Sequence, residues 1–448
     1  MVDLVPDRAE AILPPASRLP TSVQSALFFG WRHRALPRWQ RRYGDIFTIR
    51  VATAGTAVVL ARPEDIRAVF AGPATTFHAG EGNAILGPVM GGHSVLLLDE
   101  DAHLAARRRV MPAFHGEAMR GYAGLIAGLA EAEVATWPTG TPLALHPRMN
   151  ALSMEVILRI VFGVSDEAGL AELRPLLRRV VAIGPLIMLA WLHPRLKGYG
   201  PWRRYQETLA ATDEVIYAEI ARRRAATDLA DRTDVLSRLL AAAEPIGEEE
   251  VRDHLVTLLL AGHETTATTL AWAFHELAHR PEQLRRAQRA ADEGDEAYLT
   301  AVVKETLRLR PVIYEVARRL AAPVEVGGYR LPKGIVVFPA IGLVQRNPDV
   351  YAAPDDFQPE HFLSGQPPPA TWIPFGGGIR RCLGAGLSML EATTMLQVVL
   401  SRVDLRPARR RPEGTRPRNI TLVPSRGTRV VVTQRRQRPG SPPGQRSG

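Results

Sequence analysis

Cys382 is the sole cysteine of 448 residues, and it stands within Phe375-Gly-Gly-Gly378-Ile-Arg380-Arg-Cys382-Leu-Gly384. A lone cysteine is by habit a small buried hydrophobe, but these neighbours suit a thiolate. A thiolate stays deprotonated beside backbone N–H groups, cations and a helix N-terminus. Gly376, Gly377 and Gly378 allow a tight loop with unusual backbone angles, and Arg380 supplies a cation. From Leu387 to Leu400 apolar residues recur at helical spacing, so the cysteine lies just before a helix. With the cysteine fixed, a composition of 12 Phe, 37 Gly and 56 Lys+Arg meets the other four defining positions by chance roughly 2 times in 100,000.

Three further groupings could carry chemistry. Leu260-Ala261-Gly262-His263-Glu264-Thr265-Thr266 sets an acid beside an alcohol within a helical pattern running from Gly247 to Arg280. Glycine and consecutive threonines are poor choices for a buried helix interior. Threonine hydroxyls there can bond the carbonyl four residues back and open the helix, and an acid next to an alcohol is equipment for moving protons. Glu305 and Arg308 fall at i, i+3 on one helix face and can bond directly, although solvated surface pairs share that spacing. His103 and Arg107, at i, i+4, also share a face.

The pattern F-x-x-G-x-R-x-C-x-G resembles the haem-ligand loop of the cytochrome P-450 superfamily, and the resemblance extends over about residues 20–433. It implies haem b with Cys382 as axial ligand of the iron, Phe375 packed on the sulfur side, and Gly376 and Gly384 shaping the loop. His103, Arg107, Arg318 and Arg380 are then the propionate contacts. Ala261 and Gly262 make room for O2 as co-substrate, Thr265 hydrogen-bonds the bound oxygen, and Glu264 brings protons from solvent. Glu305 and Arg308 become a buried lock behind the haem loop. The family often completes that lock with the arginine of a P-E-R-F motif, whereas this chain has Pro359-Glu360-His361-Phe362. His361 is shorter and makes fewer hydrogen bonds. Substrate-facing segments, by the same resemblance, are the loop around Ala79–Leu96, the segment near Gly184–Trp202, the apolar face before Ala261, Val312–Val316 and a tip at Pro424–Gly427. Their candidates are Ile85, Val89, Ile187, Ile313 and Val316, with Tyr314 and His93 as polar exceptions.

These residues need elements to position them. Paired strands are expected at Asp45–Val51 and Thr56–Leu60, and a short helix from Pro63 toward Phe70. The first 40 residues read as irregular, and Phe77–Ser94 as a mobile glycine-rich loop. Helical patterns then dominate from His103 to Arg319. A second β-rich region spans Val324–Leu331 and Ile335–Phe338, and a hairpin is expected from Asn419–Val423 and Thr428–Val432 around Pro424–Gly427. The expected fold is mainly α with small peripheral sheets, a single triangular-prism domain over 1–433, followed by a basic Pro/Gly-rich disordered tail at 434–448.

Charge and hydropathy narrow the function. The net charge of +10 is concentrated at the C-terminus, since residues 405–448 hold 12 Arg against a single acid, Glu413. The remaining body is nearly neutral, and no aromatics alternate with the tail arginines, so nucleic-acid binding is not expected. No uncharged apolar run reaches the ~18 residues of a membrane span, and the opening residues lack the order of a secretory signal. The chain is expected to be cytoplasmic and without a transmembrane anchor. No G-x-G-x-x-G follows a strand, so no bound flavin is expected. Electrons should come from a ferredoxin or flavodoxin-type donor with its NAD(P)H reductase. The expected activity is a haem-thiolate monooxygenase inserting one oxygen atom from O2 into an apolar organic substrate. The alternatives are a haem-thiolate isomerase, dehydratase or peroxygenase, or a non-catalytic haem-binding sensor.

Overall fold

The computed structural model describes residues 3–4, 11–163, 167–180, 199–242 and 244–436. Its longer helices are α1 (Thr21–Tyr43), α2 (Pro63–Ala71), α3 (Glu100–Val110), α4 (Glu117–Ala135), α5 (Leu145–Phe162), α6 (Glu167–Val180), α7 (Gly200–Arg224), α8 (Glu248–Ala278), α9 (Pro281–Glu293), α10 (Glu296–Leu309) and α11 (Ala385–Arg402). The expected long central helix is α8. Gly247 caps it, and Glu248, Glu249 and Glu250 occupy the first turn, where the helix dipole favours acids. It is buried almost all round because α5, α7, α10 and α11 pack against it. The exception lies at mid-length, where Ala261 is exposed and Gly262 and Thr265 are half-buried. The helix runs unbroken through this stretch. Thr265 and Thr266 nevertheless donate to the carbonyls of Ala261 and Gly262, at 2.9 and 3.4 Å.

The strands are β1 (Asp3–Leu4), β2 (Ile46–Val51), β3 (Gly55–Leu60), β4 (Phe77–His78), β5 (Pro142–Ala144), β6 (Arg318–Leu320), β7 (Val324–Val326), β8 (Tyr329–Leu331), β9 (Val336–Pro339), β10 (Val403–Pro407), β11 (Thr415–Arg418), β12 (Thr421–Pro424) and β13 (Arg429–Arg435). They form small separate sheets, in the orders β2-β3-β9-β6-β4, β1-β7-β8, β10-β13-β5 and β11-β12. The β2/β3 hairpin matches expectation, with Ile46 opposite Leu60 and Val51 opposite Gly55. A large apolar core lies among α4, α5, α8, α10 and α11, and smaller clusters seat α1 and α2 on the first sheet. The fold is thus mainly α with small peripheral sheets.

Several local expectations are corrected. Residues 21–43 are helical rather than irregular, bent at Trp31 (φ −145°, ψ 28°) and carrying Pro37 inside. Their polar and apolar residues wrap one face over the β-sheet, a pattern obscured by that bend. The glycine-rich stretch 77–94 holds β4 and short helical turns at Ala79–Gly82, Ala84–Leu86 and Gly87–Met90. Asp99 fixes its start by accepting from the Gly80 and Glu81 N–H groups at 2.8 and 2.9 Å. Asp253 fixes its end through the His93 N–H at 2.9 Å. The hairpin expected across Pro424–Gly427 does not form. β12 pairs instead with β11, and β13 with β10 and β5, because Glu413 pulls in the N–H groups of Arg426 and Arg429 at 2.7 and 3.0 Å. The folded part also runs past 433. β13 reaches Arg435, and Arg436 grips Asp292 at 2.6 Å. The remaining tail, 437–448, lies outside the described residues, as do Ile187 and most of the Gly184–Trp202 segment.

Candidate functional site

The cysteine loop is built by backbone contacts with distant residues. Gly376 and Gly378 adopt left-handed angles (φ 67° and 63°). A Cβ on Gly378 would lie 1.9 Å from the Phe70 carbonyl oxygen, and one on Gly377 2.4 Å from the Phe70 ring. Glycine is required at both because the end of α2 presses against the loop. The Cys382 N–H donates to the Phe375 carbonyl at 2.9 Å, closing the loop. Phe375 leans edge-on against Trp372, with centroids 6.2 Å apart. Gly384 caps α11, two residues beyond the cysteine. Cys382 is reached by solvent yet recessed. Burial pushes its thiol up, while the Gly384 N–H, Arg107 and Arg381 pull it down.

Beside the loop stands a cluster of cations. His103 is buried on α3, and its Nδ1 has no partner. Burial, then Arg380 and Arg107, lower its imidazole to about 4, so it is neutral at pH 7. Arg318 is buried at the start of β6, donates to the Ala317 carbonyl at 2.8 Å, and is held down to about 10 by burial and by Arg380. Arg380 contacts Asp99 and the Leu98 carbonyl at 2.5 Å. Arg107 spans to the Arg381 carbonyl at 2.8 Å. Three guanidiniums and a neutral imidazole with an orphaned nitrogen thus crowd one place, with Asp99 the acid among them. Such a set calls for further anionic oxygens. The two propionates of a haem would supply them, and Cys382 would offer its sulfur to the iron, so these residues fit that group.

A second group of candidate residues lies on α8. Glu264 is buried, and burial raises its carboxyl while Arg418 and Thr421 counter. Arg418 Nε lies 3.3 Å away and Thr421 Oγ1 3.4 Å. Both belong to the β11–β12 hairpin, whose tip is Asn419–Ile420 rather than Pro424–Gly427. Neither partner of this acid is legible in sequence, both lying more than 150 positions downstream. Gly262 has an additional reason to be small: a Cβ there would sit 2.9 Å from Ile157 on α5. Thr266 Oγ1 reaches Ser388 Oγ at 3.1 Å and ties α8 to α11.

The lock is present and buried. Arg308 forks onto Glu305 through Nε and Nη2, both at 2.7 Å, and neither side chain is exposed. Arg308 also donates to the Pro354 and Asp356 carbonyls at 2.7 Å. His361 Nδ1 lies 3.3 Å from both Glu305 oxygens, and the Gln358 N–H donates to Oε1 at 2.7 Å. His361→Arg should be tolerated or stabilise by roughly 1 kcal/mol, because a forked cation replaces one long imidazole contact. Urea unfolding and haem retention measure this; a marked loss of haem would show that 359–362 is not the lock's third side.

Sequence reasoning missed Glu391. It is buried between α11 and α5, bonded to Ser153 Oγ, and burial raises its carboxyl to about 8. The folded protein therefore keeps a proton that the unfolded chain loses above its ordinary value of 4.5. Stability should fall as pH rises from about 4.5 to 8 on this account. Glu391→Gln should flatten that slope and unfold at higher urea than the native chain at pH 8; an unchanged slope would assign it to other groups.

The substrate candidates divide. Val89 is buried with Val180, Tyr205 and Leu209, against Leu260 of α8. Ile85 is half-buried, and Ile313 and Val316 pack against the apolar cluster that seats α2 on the first sheet. Tyr314 is a correction. It is buried in the α1 cluster, where a Cβ on Gly342 would lie 2.1 Å from its ring, and burial pushes its hydroxyl well up. His93 is tied down by Asp253.

Among the described residues no helix is long and apolar enough to cross a membrane. A family model described as Cytochrome P450 matches residues 14–431. The chain is 45% identical over 431 residues to "Putative cytochrome P450 135B1" of Mycobacterium bovis, covering 94% of this chain and 91% of that one. It is 44% identical over 432 residues to "Putative cytochrome P450 135A1" of Mycobacterium tuberculosis, covering 95% and 96%. Its fold is similar to that of the retinoic acid-bound cyanobacterial CYP120A1, with TM-score 0.83, 21% identity, and 94% and 99% of the two chains covered. The cytochrome P450DA heme domain gives TM-score 0.81 at 22% identity, with 95% and 98% covered. A thiolate loop, a cation cluster awaiting carboxylates and a family match over nearly the whole length agree: this chain belongs to the cytochrome P450 family.

Proposed function

We propose that the chain inserts one oxygen atom of O2 into an apolar organic substrate, drawing electrons from a separate ferredoxin or flavodoxin-type donor and its NAD(P)H reductase. Haem chemistry of the monooxygenase kind is the family's; bound haem supplies oxygen activation. The observation carrying the reading is the recessed Cys382 next to His103, Arg107, Arg318 and Arg380. In this reading the last four hold the propionates, and Phe375, Gly376 and Gly384 present the sulfur. Ala261 and Gly262 leave space on α8. Thr265, whose hydroxyl already donates to Ala261, orients oxygen, and Glu264 holds the proton to be delivered. Its raised carboxyl keeps that proton nearer neutrality, and Arg418 connects it toward solvent. Ile85, Val89, Ile313 and Val316 supply an apolar surround. Arg381, exposed in the loop itself, suits an acidic donor. We place the protein in the cytoplasm.

The test is spectroscopic, then catalytic. The reduced carbon-monoxide complex should show the thiolate band, and apolar compounds should displace ferric-bound water. Turnover should require both O2 and the electron donor. Turnover without a donor would favour an isomerase, dehydratase or peroxygenase. No ligand-induced shift and no reductant-dependent O2 use would favour a sensor.

A further inference from the structure

Half of the large hydrophobic side chains exposed among the described residues fall in one short stretch: Ile12, Leu13, Leu19, Val23 and Trp31. Trp31 is 52% exposed, unusual for so large an apolar ring. The same stretch is acid-free. Residues 11–44 contain six arginines and no Asp or Glu, within a body that is nearly neutral overall. Arg32 turns inward to buried Glu315 and to the Ile420 carbonyl at 2.8 Å. Arg18, Arg34, Arg38, Arg41 and Arg42 are exposed. On α1, Leu27, Trp31, Arg34 and Arg38 follow one another at helical spacing and border a shallow groove of about 320 Å³. Ile420, 49% exposed at the β11–β12 tip, adjoins this face through Arg32.

An apolar stripe with tryptophan, flanked by exposed arginines that form no ion pair among the described residues, matches the two layers of a bilayer surface. The ring and aliphatic groups enter the acyl boundary, and the guanidinium forks take lipid phosphates. An acidic redox protein fits less well. Electrons must reach the cysteine loop, which packs on α2 and α3, whereas α1 packs on β2, β11 and the turn Ile341–Val344.

We infer that residues 12–42, with Ile420, form a face that binds peripherally to anionic phospholipid bilayers. Such docking sets the β11–β12 hairpin, and with it the Arg418–Glu264 contact, next to the lipid phase from which an apolar substrate would arrive. This last consequence rests on the apolar-substrate reading; the binding itself does not.

The experiment is vesicle flotation of the full, haem-loaded chain. Phosphatidylcholine vesicles are compared with vesicles containing phosphatidylglycerol, at low salt and at about 1 M, where the Debye length falls to about 3 Å. Wild-type protein should float with anionic vesicles only and be released by salt. The exposed triple substitution Trp31→Ser, Arg34→Glu and Arg38→Glu should lower partitioning on the order of a hundredfold. Charge reversal at Arg409, Arg410 and Arg411, or ending the chain after Arg436, should leave it near wild type. Wild-type protein that stays down, or a triple variant that floats normally, overturns the proposal. So does binding lost only in the Arg409–Arg411 or tail variants, or retention of an acidic ferredoxin by this face without flotation. Flotation needs no turnover, so its failure leaves the monooxygenase reading standing. Failure of apolar compounds to shift the ferric spectrum sinks the substrate reading and leaves flotation untouched.

Discussion

Arg308→Ala is expected to leave little folded protein. Arg308 and Glu305 are both fully buried, and the guanidinium binds Glu305 twice while capping carbonyls at Pro354 and Asp356. It also stacks on the Tyr351 ring, 4.7 Å from its centroid. Deleting it leaves a buried carboxylate with only the Gln358 N–H and His361 for company. Breaking one partner out of a buried ion pair costs about 3–5 kcal/mol. The orphaned carbonyls add about 1–3 kcal/mol each. Against a typical total of about 5–15 kcal/mol, that is most or all of the stability. Arg308→Lys keeps the charge but lacks the fork, so it should fall between. Removing both charges, as Glu305→Gln with Arg308→Met, should recover part of the loss because no buried charge is left alone. Urea unfolding followed by circular dichroism measures the series. A wild-type midpoint for Arg308→Ala would mean the pair does not hold this region together.

Cys382→Ser should do the reverse: keep the fold and remove the activity. The side chain is small and reached by solvent, and serine preserves its volume and the N–H bond to Phe375. Its effect on stability should stay within about 0.5 kcal/mol. The chemistry is another matter. Burial holds the Cys382 thiol up, the Gly384 N–H, Arg107 and Arg381 offset part of that, and a bound iron would supply the rest of what a thiolate needs. A serine hydroxyl cannot be ionised by such neighbours near pH 7. The reduced carbon-monoxide complex should therefore lose the thiolate band, and donor-dependent O2 insertion should disappear. Retained turnover with an unchanged band would assign the ligand to another residue, and this chain has no second cysteine to offer.

What could be read from sequence was local. The cysteine loop, the i, i+3 pair on α10, the i, i+4 pair on α3 and the β2/β3 hairpin are each set within ten or twenty residues. The long helix α8 was legible from its acidic first turn and its apolar spacing. What stayed hidden needed distant partners. Nothing near Glu264 announces Arg418, and nothing near Gly378 announces the Phe70 carbonyl. Tyr314 sits in a segment expected to face substrate, yet Gly342 leaves a slot that takes its ring the other way. The β11–β12 pairing was misread because Glu413 draws in the 426–429 turn and makes Pro424–Gly427 a connection between sheets. Helix α1 was missed because Trp31 bends it and Pro37 interrupts its pattern.

The close contact between Gly378 and Phe70 also bears on how the protein is made. The surfaces that shape the cysteine loop come from early in the chain: Phe70, Val95, Leu98, Asp99 and Arg107. The sulfur itself is 382nd of 448 residues. At about 5–20 residues per second, a ribosome has built the receiving walls well before it releases the ligand. A chain that stops short of Cys382 therefore has these walls in its sequence but no sulfur to set among them.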